Sequence, residues 1–255
     1  MKQNSPTSAS PSPSLSPQSS VNRARLLLYL RLGRVSNLPT VWTNTLAGVV
    51  LAGGTLSSIQ LPALLAAFTL FYTGGMFLND AFDREFDARE RSERPIPSGL
   101  IAAGSVFRMG YGMVVAGIVI VVWLGLGKGW GSAVSAIALA AAIIGYDANH
   151  KHNPLGPAIM GLCRALIYIT AAITVTGHLT AVAAGGAAAL FGYVTGLTYV
   201  AKRKTASPRT VTRLIAGISL LDAVLMGGRG AVVAAGMAVL AFLLTLRWQR
   251  SVQGT

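Results

Sequence analysis

Six of the eight acidic residues of this chain lie within fourteen consecutive positions, from Asp80 to Glu93. Residues three and four apart are neighbours on a helix, so Asp80, Asp83 and Asp87 are expected on one face, with Asn79 beside them. Three carboxylates on one face repel each other unless a cation neutralises them. Oxygen ligands of this kind suit Mg²⁺, which takes one or two carboxylates together with water and substrate phosphate oxygens. The spacing therefore favours a divalent metal site on this face.

The alternative is a solvated loop in which the acids pair with the arginines between and after them, Arg84, Arg89, Arg91 and Arg94. The surrounding sequence favours the metal site, because the stretch directly follows an apolar span and is closed by Pro95 and Pro97. It is predicted to form a short helical hook at a membrane face.

The composition indicates an integral membrane protein, since 53% of the residues are hydrophobic and only 11% are charged. The net charge of +13 follows from basic residues that flank apolar spans and face anionic lipid headgroups. Membrane lipids are therefore the expected surroundings, and nucleic acid is not an expected partner. The single cysteine, Cys163, excludes an internal disulfide.

Eight apolar spans approach the roughly 20 residues that cross a bilayer. They lie near residues 38–54, 59–79, 104–127, 130–147, 155–177, 179–201, 212–228 and 231–247. With a cytoplasmic amino terminus, all but two of the 21 Lys and Arg residues lie on the cytoplasmic side, the exceptions being Lys128 and Arg229. The prediction is an all-α, multi-pass bundle of the inner or plasma membrane. Residues 23–250 form this transmembrane domain, and the Ser- and Pro-rich residues 1–22 are expected to be a disordered tail.

A magnesium-bearing acidic hook above an apolar bundle suits a lipid diphosphate, with the pyrophosphate at the membrane surface and the lipid tail between helices. For an allylic prenyl diphosphate, Mg²⁺ and neighbouring cations would neutralise the departing pyrophosphate. Ionisation of the carbon–oxygen bond would leave an allylic cation, which an acceptor attacks.

The residues Asn79, Asp80, Asp83 and Asp87, followed by Arg94-Pro-Ile-Pro-Ser-Gly99, resemble the first aspartate-rich motif of the UbiA superfamily of intramembrane prenyltransferases. The resemblance covers roughly residues 25–248. It implies a UbiA-like bundle of typically nine helices around a central cavity, so a count of eight to nine is expected here. It also implies that the Asn and the three Asp residues are ligands of Mg²⁺ and of the diphosphate, which is held at the cytoplasmic cap.

The same resemblance assigns further substrate contacts. Arg34 and Asn37 are similar to an Arg and an Asn that lie near the acceptor and the diphosphate. Tyr146 and Lys151, in the sequence YDANHK, resemble a Tyr and a Lys before the fifth helix, where the Lys would contact pyrophosphate. Together with MGLCRALIY, which contains Arg164 and Tyr168, this segment is most similar to the EboC-like branch.

One departure from the family pattern is clear. A second aspartate-rich motif is usual after the sixth helix, but the segment Thr198–Thr210 contains no acidic residue. A second Mg²⁺ therefore lacks its usual ligands. Lys202, with Arg203 and Lys204, would neutralise the diphosphate directly, or these would be ordinary cytoplasmic-side basic residues.

Two acidic residues follow the cluster, and each has two interpretations. Asp147 is either a ligand of a second metal or a surface carboxylate paired with Lys151. Asp222, in an apolar span, is either functional or a partner of Arg213 or Arg164.

The remaining polar residues have simpler interpretations. Arg164 is expected to face the cavity, because lipid exposure at its depth is costly. The rings of Tyr146 and Tyr168 are expected to line the cavity and to stabilise an allylic cation. His150 and His152 lack metal-ligand spacing and are predicted to be solvated interface residues.

The sequence thus predicts a Mg²⁺-dependent transferase that moves a polyprenyl group from its diphosphate to a small, aromatic or hydroxylated acceptor. Asp80, Asp83 and Asp87 would hold the metal with help from Asn79, and Arg94 and Lys151 would bind pyrophosphate. A non-catalytic lipid-diphosphate binder or carrier is the alternative, because the second acidic motif is missing. A basic channel or transporter is a weaker third possibility, since the acids lie at one face of the membrane.

Overall fold

The computed structural model describes residues 26–151, 153–203 and 207–251. Within these ranges the chain forms helices and turns, and no strand. Residues 26–32 are helical and lead through a 3₁₀ turn, Val35–Asn37, into the bundle. The predicted disordered tail, residues 1–22, lies outside the described residues.

Eight long helices lie where the eight apolar spans were predicted. In chain order the helices are α1 Leu38–Leu51, α2 Leu61–Phe82, α3 Arg84–Glu90, α4 Ala103–Leu124, α5 Gly131–Asn149, α6 Gly156–Thr176, α7 Ala181–Lys202, α8 Pro208–Gly227 and α9 Val232–Ser251. Among the described residues, seven of these helices are long and apolar enough to cross a membrane. The prediction of an all-α, multi-pass membrane bundle is confirmed.

The first long helix, α1, is the exception in length, and it occupies the interior of the bundle. Its 14 residues rise by only about 21 Å, less than the roughly 30 Å of a hydrocarbon core. Every residue of α1 except Trp42 is buried, and the helix packs against α2, α6, α7, α8 and α9. Since its neighbours shield it from lipid, α1 tolerates interior polar residues such as Thr43 and Asn44.

Gly48 permits the closest contact between α1 and α6. A Cβ atom at this position would lie 2.9 Å from the Cα and the carbonyl oxygen of Tyr168, and 2.9 Å from the Cβ of Ala171. We expect Gly48→Ala to destabilise the protein by about 1–3 kcal/mol, because backbone atoms must move apart to admit the methyl group. The midpoint of thermal unfolding in detergent measures this loss.

Gly112 provides a matched control on α4, because a Cβ added there meets nothing within 4 Å. Gly112→Ala should leave the unfolding midpoint unchanged or raise it slightly. Equal midpoints for the two variants would mean that the contact between α1 and α6 is looser than described here.

The ends of the helices determine where a site can form. α2 and α5 end at the same face of the bundle, because Asp83, just past α2, contacts Lys151, just past α5. α7 ends there too, since the side chain of Lys202 reaches the backbone of His150. We call this face, where the three helix ends meet, the polar face.

Candidate active site

The acidic hook is a nearly continuous helical path from α2 into α3. Asp83 joins the two helices, and the N–H of Asp83 donates to the carbonyl of Asn79 at 3.0 Å. The N–H of Asp87 donates to the carbonyl of Asp83 at 2.9 Å, so the four-residue spacing continues through the junction. Asp80, Asp83 and Asp87 therefore keep the helical spacing that the sequence predicts.

Arg94 is held under the hook by the turn that follows it. Gly99 has a φ of +78°, in the left-handed region that favours glycine. Ile96 packs against a small core cluster that includes Phe77. The fold-back brings Arg94 Nη1 to 2.8 Å from Asp87 Oδ2 and 3.6 Å from Asp80 Oδ1.

Arg34 reaches the acidic residues from the segment before α1. Its Nη2 donates to Asn79 Oδ1 at 3.3 Å and lies 3.4 Å from Asp80 Oδ1. Among the described residues, Arg34 is the only non-glycine residue with a positive φ, at 42°. Such strained backbone is retained where surrounding structure demands it, and it concentrates at functional sites. The unusual backbone conformation therefore indicates that the site requires the side chain of Arg34 in this position.

The segment after α5 supplies two more contacts to the hook. Lys151 Nζ lies 2.9 Å from Asp83 Oδ1 and 3.6 Å from the centre of the Phe86 ring. His150 stacks on Tyr146, with 4.8 Å between ring centres, and its Nε2 lies 3.6 Å from Asp83 Oδ2. Burial lowers the pKa of His150, and the carboxylate of Asp83 only partly offsets this effect, so the imidazole is neutral near pH 7.

This placement corrects the prediction of a solvated His150, because its side chain is only 15% exposed and contacts the hook. His152, for which the same prediction was made, lies outside the described residues.

Asp147 is a buried member of the same site. It is 3% exposed, and its Oδ1 accepts a hydrogen bond from Asn79 Nδ2 at 3.1 Å. The interpretation as a surface carboxylate paired with Lys151 is therefore wrong, because Lys151 pairs with Asp83 instead.

Two cavities adjoin at Asp147, which lines both. The outer cavity, of about 290 Å³, opens at the polar face between the hook and residues 147–151, and its lining includes Asp83, Arg89 and Lys151. The inner cavity, of about 60 Å³, lies among α2, α5 and α6 and has a mostly apolar lining. A charged pocket and an apolar one thus lie on either side of Asp147.

Arg164 and Tyr146 line the inner cavity, as predicted for a cavity-facing Arg and Tyr. The guanidinium carbon of Arg164 lies 5.4 Å from the centre of the Tyr72 ring, and its Nη1 donates to Asn44 Oδ1 at 3.0 Å.

Behind the inner cavity, Asp222 is completely buried. Both its oxygens accept from Asn44 Nδ2, at 2.9 and 3.2 Å, and Oδ1 also accepts from the hydroxyl of Tyr168. We call Asn44, Arg164, Tyr168 and Asp222 the interior network. The predicted pairing of Asp222 with Arg164 is therefore made through Asn44.

The structure corrects the placement of Tyr168. Its side chain is fully buried against α1, and it lines neither cavity. Its hydroxyl is bound to Asp222, so its ring is not available to a prenyl group in either of these cavities.

Asn37 and Lys202 lie at the margin. Asn37 Oδ1 accepts from Gln249 Nε2 at 2.7 Å, which ties the 3₁₀ turn to α9. Lys202 Nζ donates to the carbonyl of His150 at 3.2 Å. Neither residue lines the two cavities. Lys204 lies outside the described residues.

The donor set of the site suits a hard divalent cation. Among the described residues no three His, Cys, Asp or Glu side chains already converge as a metal-binding group. Basic side chains instead pair with Asp80, Asp83 and Asp87. Two carboxylate oxygens, Asp87 Oδ1 and Asp147 Oδ2, are buried without a hydrogen-bond partner. Buried carboxylate oxygens without a partner are ligands of the kind that Mg²⁺ takes.

Sequence reasoning left Asp147 undecided and missed the role of Asn44. The available indication for Asp147 was an acid within an apolar span, directly after Tyr146. For Asn44 the indication was a polar residue within a short apolar span. In both cases the partner comes from a distant helix, which spacing along the chain does not reveal.

Comparison with known proteins agrees with this architecture. A family model described as the UbiA prenyltransferase family matches residues 41–252. Similar curated proteins are digeranylgeranylglyceryl phosphate synthases of Methanothrix thermoacetophila, 35% identical over 37% of this chain, and of Natronomonas pharaonis, 30% identical over 60%. The matched stretches span only 36% and 54% of those relatives' lengths. The assignment to the EboC-like branch stays a prediction.

Solved structures support the fold. A digeranylgeranylglyceryl phosphate synthase superposes with a TM-score of 0.57 at 14% identity, covering 91% of this chain and 99% of the other. A UbiA homologue from Archaeoglobus fulgidus, bound to GPP and Mg²⁺, superposes with a TM-score of 0.56 at 14% identity over 88% and 86% of the two chains. Because the family model covers most of the sequence and the fold agrees, the chain belongs to the UbiA prenyltransferase family.

Proposed function

We propose that this protein is a Mg²⁺-dependent intramembrane prenyltransferase, which moves a polyprenyl group from its diphosphate to a small acceptor. The observation that carries the proposal is the junction of the two cavities at Asp147. The charged outer cavity suits a pyrophosphate, and the apolar inner cavity suits the first part of a prenyl chain. The scissile carbon–oxygen bond would then lie at the junction.

The acids of the hook hold the metal and, through it, the diphosphate. Asn79, Asp80, Asp83 and Asp87 are the proposed ligands. Bound Mg²⁺ would neutralise the charge that develops on the leaving pyrophosphate. The carboxylates of the hook carry basic partners that can contact phosphate oxygens, namely Arg34, Arg94 and Lys151.

The reaction separates charge between the two cavities. The carbon–oxygen bond breaks, its electron pair leaves with pyrophosphate, and an allylic cation remains at the mouth of the inner cavity. The ring of Tyr146 lines that cavity and can stabilise the cation. The apolar walls exclude water, which would otherwise capture the cation. The acceptor forms the new bond and releases a proton.

The acceptor and the orientation complete the proposal. The relatives are named digeranylgeranylglyceryl phosphate synthases, so we propose a hydroxylated acceptor of the glyceryl phosphate type as the first to test. An aromatic acceptor is the second acceptor to test.

The distribution of Lys and Arg supports a cytoplasmic amino terminus. With that orientation the polar face would lie in the cytoplasm. The proposed catalytic domain is residues 23–250.

Removing the metal is expected to abolish turnover. We expect purified protein in nanodiscs to release pyrophosphate from a labelled prenyl diphosphate when Mg²⁺ and an acceptor are present. Chelation by EDTA should lower the rate by about a hundredfold or more, since metal stabilisation of the leaving group contributes several kcal/mol. Added Mg²⁺ should restore the rate. Turnover that persists in EDTA would contradict the proposal.

A second candidate is a non-catalytic binder or carrier of lipid diphosphates. It is motivated by the acid-free segment Thr198–Thr210, where the family pattern has a second aspartate-rich motif. Equilibrium binding separates the two candidates. Tight Mg²⁺-dependent binding of a prenyl diphosphate, with no product from any acceptor in a lipid extract, would favour the carrier.

A further inference from the structure

Asp147 is the buried acid of the site that has no basic partner. No Lys or Arg of the described residues lies within 4 Å of its carboxylate, whereas Asp80 has two such partners and Asp83 and Asp87 have one each. Its Oδ2 has no hydrogen-bond partner, and the residue is only 3% exposed. A buried carboxylate oxygen without a partner is costly, so a cation is expected beside it when the site is in use.

The position of Asp147 identifies the kind of cation. Its side chain lines both cavities, and its Oδ1 is fixed by Asn79 Nδ2 at 3.1 Å. Gly75 packs beside Oδ2, since a Cβ added there would lie 4.0 Å from this oxygen and 2.9 Å from Cγ2 of Ile143. A hard ion that carries its own water or phosphate oxygens from the outer cavity would satisfy Oδ2.

The second half of the chain offers no other acid for this purpose. Beyond Glu93 the only acidic residues are Asp147 and Asp222. Asp222 is buried behind the inner cavity, where Asn44 and Tyr168 satisfy both its oxygens. Asp147 is therefore the one acid outside the hook that reaches the site.

We propose that Asp147 is a direct ligand of the divalent cation that binds a diphosphate, and that it holds this ion on the side of the inner cavity. The inference rests on the proposed function for the location of the ion. A cation bound to Asp147 would put positive charge at the junction of the cavities, next to the carbon–oxygen bond that breaks. Asp83, which also lines the outer cavity, would supply a ligand from the hook.

Binding of Mn²⁺ tests the proposal without relying on turnover. The full chain in nanodiscs is titrated with Mn²⁺, with and without inorganic pyrophosphate, and free Mn²⁺ is followed by electron paramagnetic resonance. Asp147→Asn keeps an oxygen that can accept from Asn79 but removes the charge. We expect its Mn²⁺ affinity to fall about tenfold or more, because the charge of the ligands sets the affinity of such sites. Glu93→Gln, on the exposed turn after the hook, should bind like the unchanged protein.

A change of metal preference separates a ligand from a merely structural residue. Asp147→Cys should raise the affinity for Cd²⁺ relative to Mn²⁺ by about tenfold or more, because a thiolate favours softer cations. A structural role would leave this ratio unchanged. Both proteins carry Cys163→Ala in this comparison, because Cys163 lines the inner cavity together with Asp147 and its thiol can also bind Cd²⁺.

The outcomes are distinct. Weaker Mn²⁺ binding by Asp147→Asn together with the shifted ratio in Asp147→Cys supports the proposal. Unchanged Mn²⁺ binding in Asp147→Asn, or an unchanged ratio in Asp147→Cys, overturns it while the proposed function stands. If the unchanged protein binds no Mn²⁺ even with pyrophosphate, the proposed function fails and the inference fails with it.

Discussion

Replacing Asp83 by Asn is expected to lower the rate of prenyl transfer by about a hundredfold or more. Asp83 lines the outer cavity and is the contact point of Lys151 and His150. The substitution removes a proposed metal ligand and also leaves the charge of Lys151 without its partner. The measurement is pyrophosphate release from a prenyl diphosphate at the Mg²⁺ concentration that just saturates the unchanged protein.

Two controls keep the result specific. Glu93→Gln removes an acid of the same cluster that lies on the exposed turn, and it should retain full activity. Raising Mg²⁺ should partly rescue Asp83→Asn if the defect is weaker metal binding. Full activity of Asp83→Asn at ordinary Mg²⁺ concentrations would remove the hook from the catalytic mechanism.

The sequence was sufficient to predict the elements and the hook. Spans of apolar residues follow from the thickness of the bilayer, so each of the eight long helices overlaps a predicted span. The acids of the hook are close in the chain, and helical spacing alone brings Asp83 and Asp87 onto one face. Arg94 reaches the same acids because only a short turn separates it from α3.

The sequence was not sufficient where the partner lies on a distant helix. The 14 residues of α1 do not indicate by themselves that five other helices surround this helix. Asp147 and Asn79 are 68 positions apart, and Asn44 and Asp222 are 178 apart. Hydrophobic periodicity gives the face of a helix but not its neighbour. Tyr168 was therefore assigned to the cavity although it turns toward Asp222.

The interior network also limits which residues can act on substrate. Asp222 accepts hydrogen bonds from Nδ2 of Asn44, which is shared between its two oxygens, and from the hydroxyl of Tyr168. These contacts suit a carboxylate, which accepts hydrogen bonds and donates none. The carbonyl oxygen of Asn44 accepts from Arg164, so Asn44 links an acid and a base inside the bundle. We expect this link to hold Arg164 at the apolar inner cavity by balancing its charge.

Asp222→Ala is accordingly expected to destabilise the protein by about 3–5 kcal/mol, the usual cost of leaving a buried charge without its counterpart. The midpoint of thermal unfolding in detergent should fall by about 10 °C. Val224→Ala provides a matched control on α8, because Val224 is 72% exposed and its truncation empties no interior space. A similar fall in both variants would indicate a general weakness of α8.

A double substitution tests whether the cost is electrostatic. Asp222→Asn removes the negative charge, Arg164→Met removes the positive one, and each alone leaves the other uncompensated. Because the combination leaves no buried charge, it should cost about 1–3 kcal/mol less than the sum of the single substitutions. Additive losses would mean that Asp222 contributes only its hydrogen bonds to Asn44 and Tyr168, and that Arg164 faces the cavity for another reason. A positive coupling would establish that a charge pair spanning α6 and α8 through α1 holds the wall of the inner cavity in place.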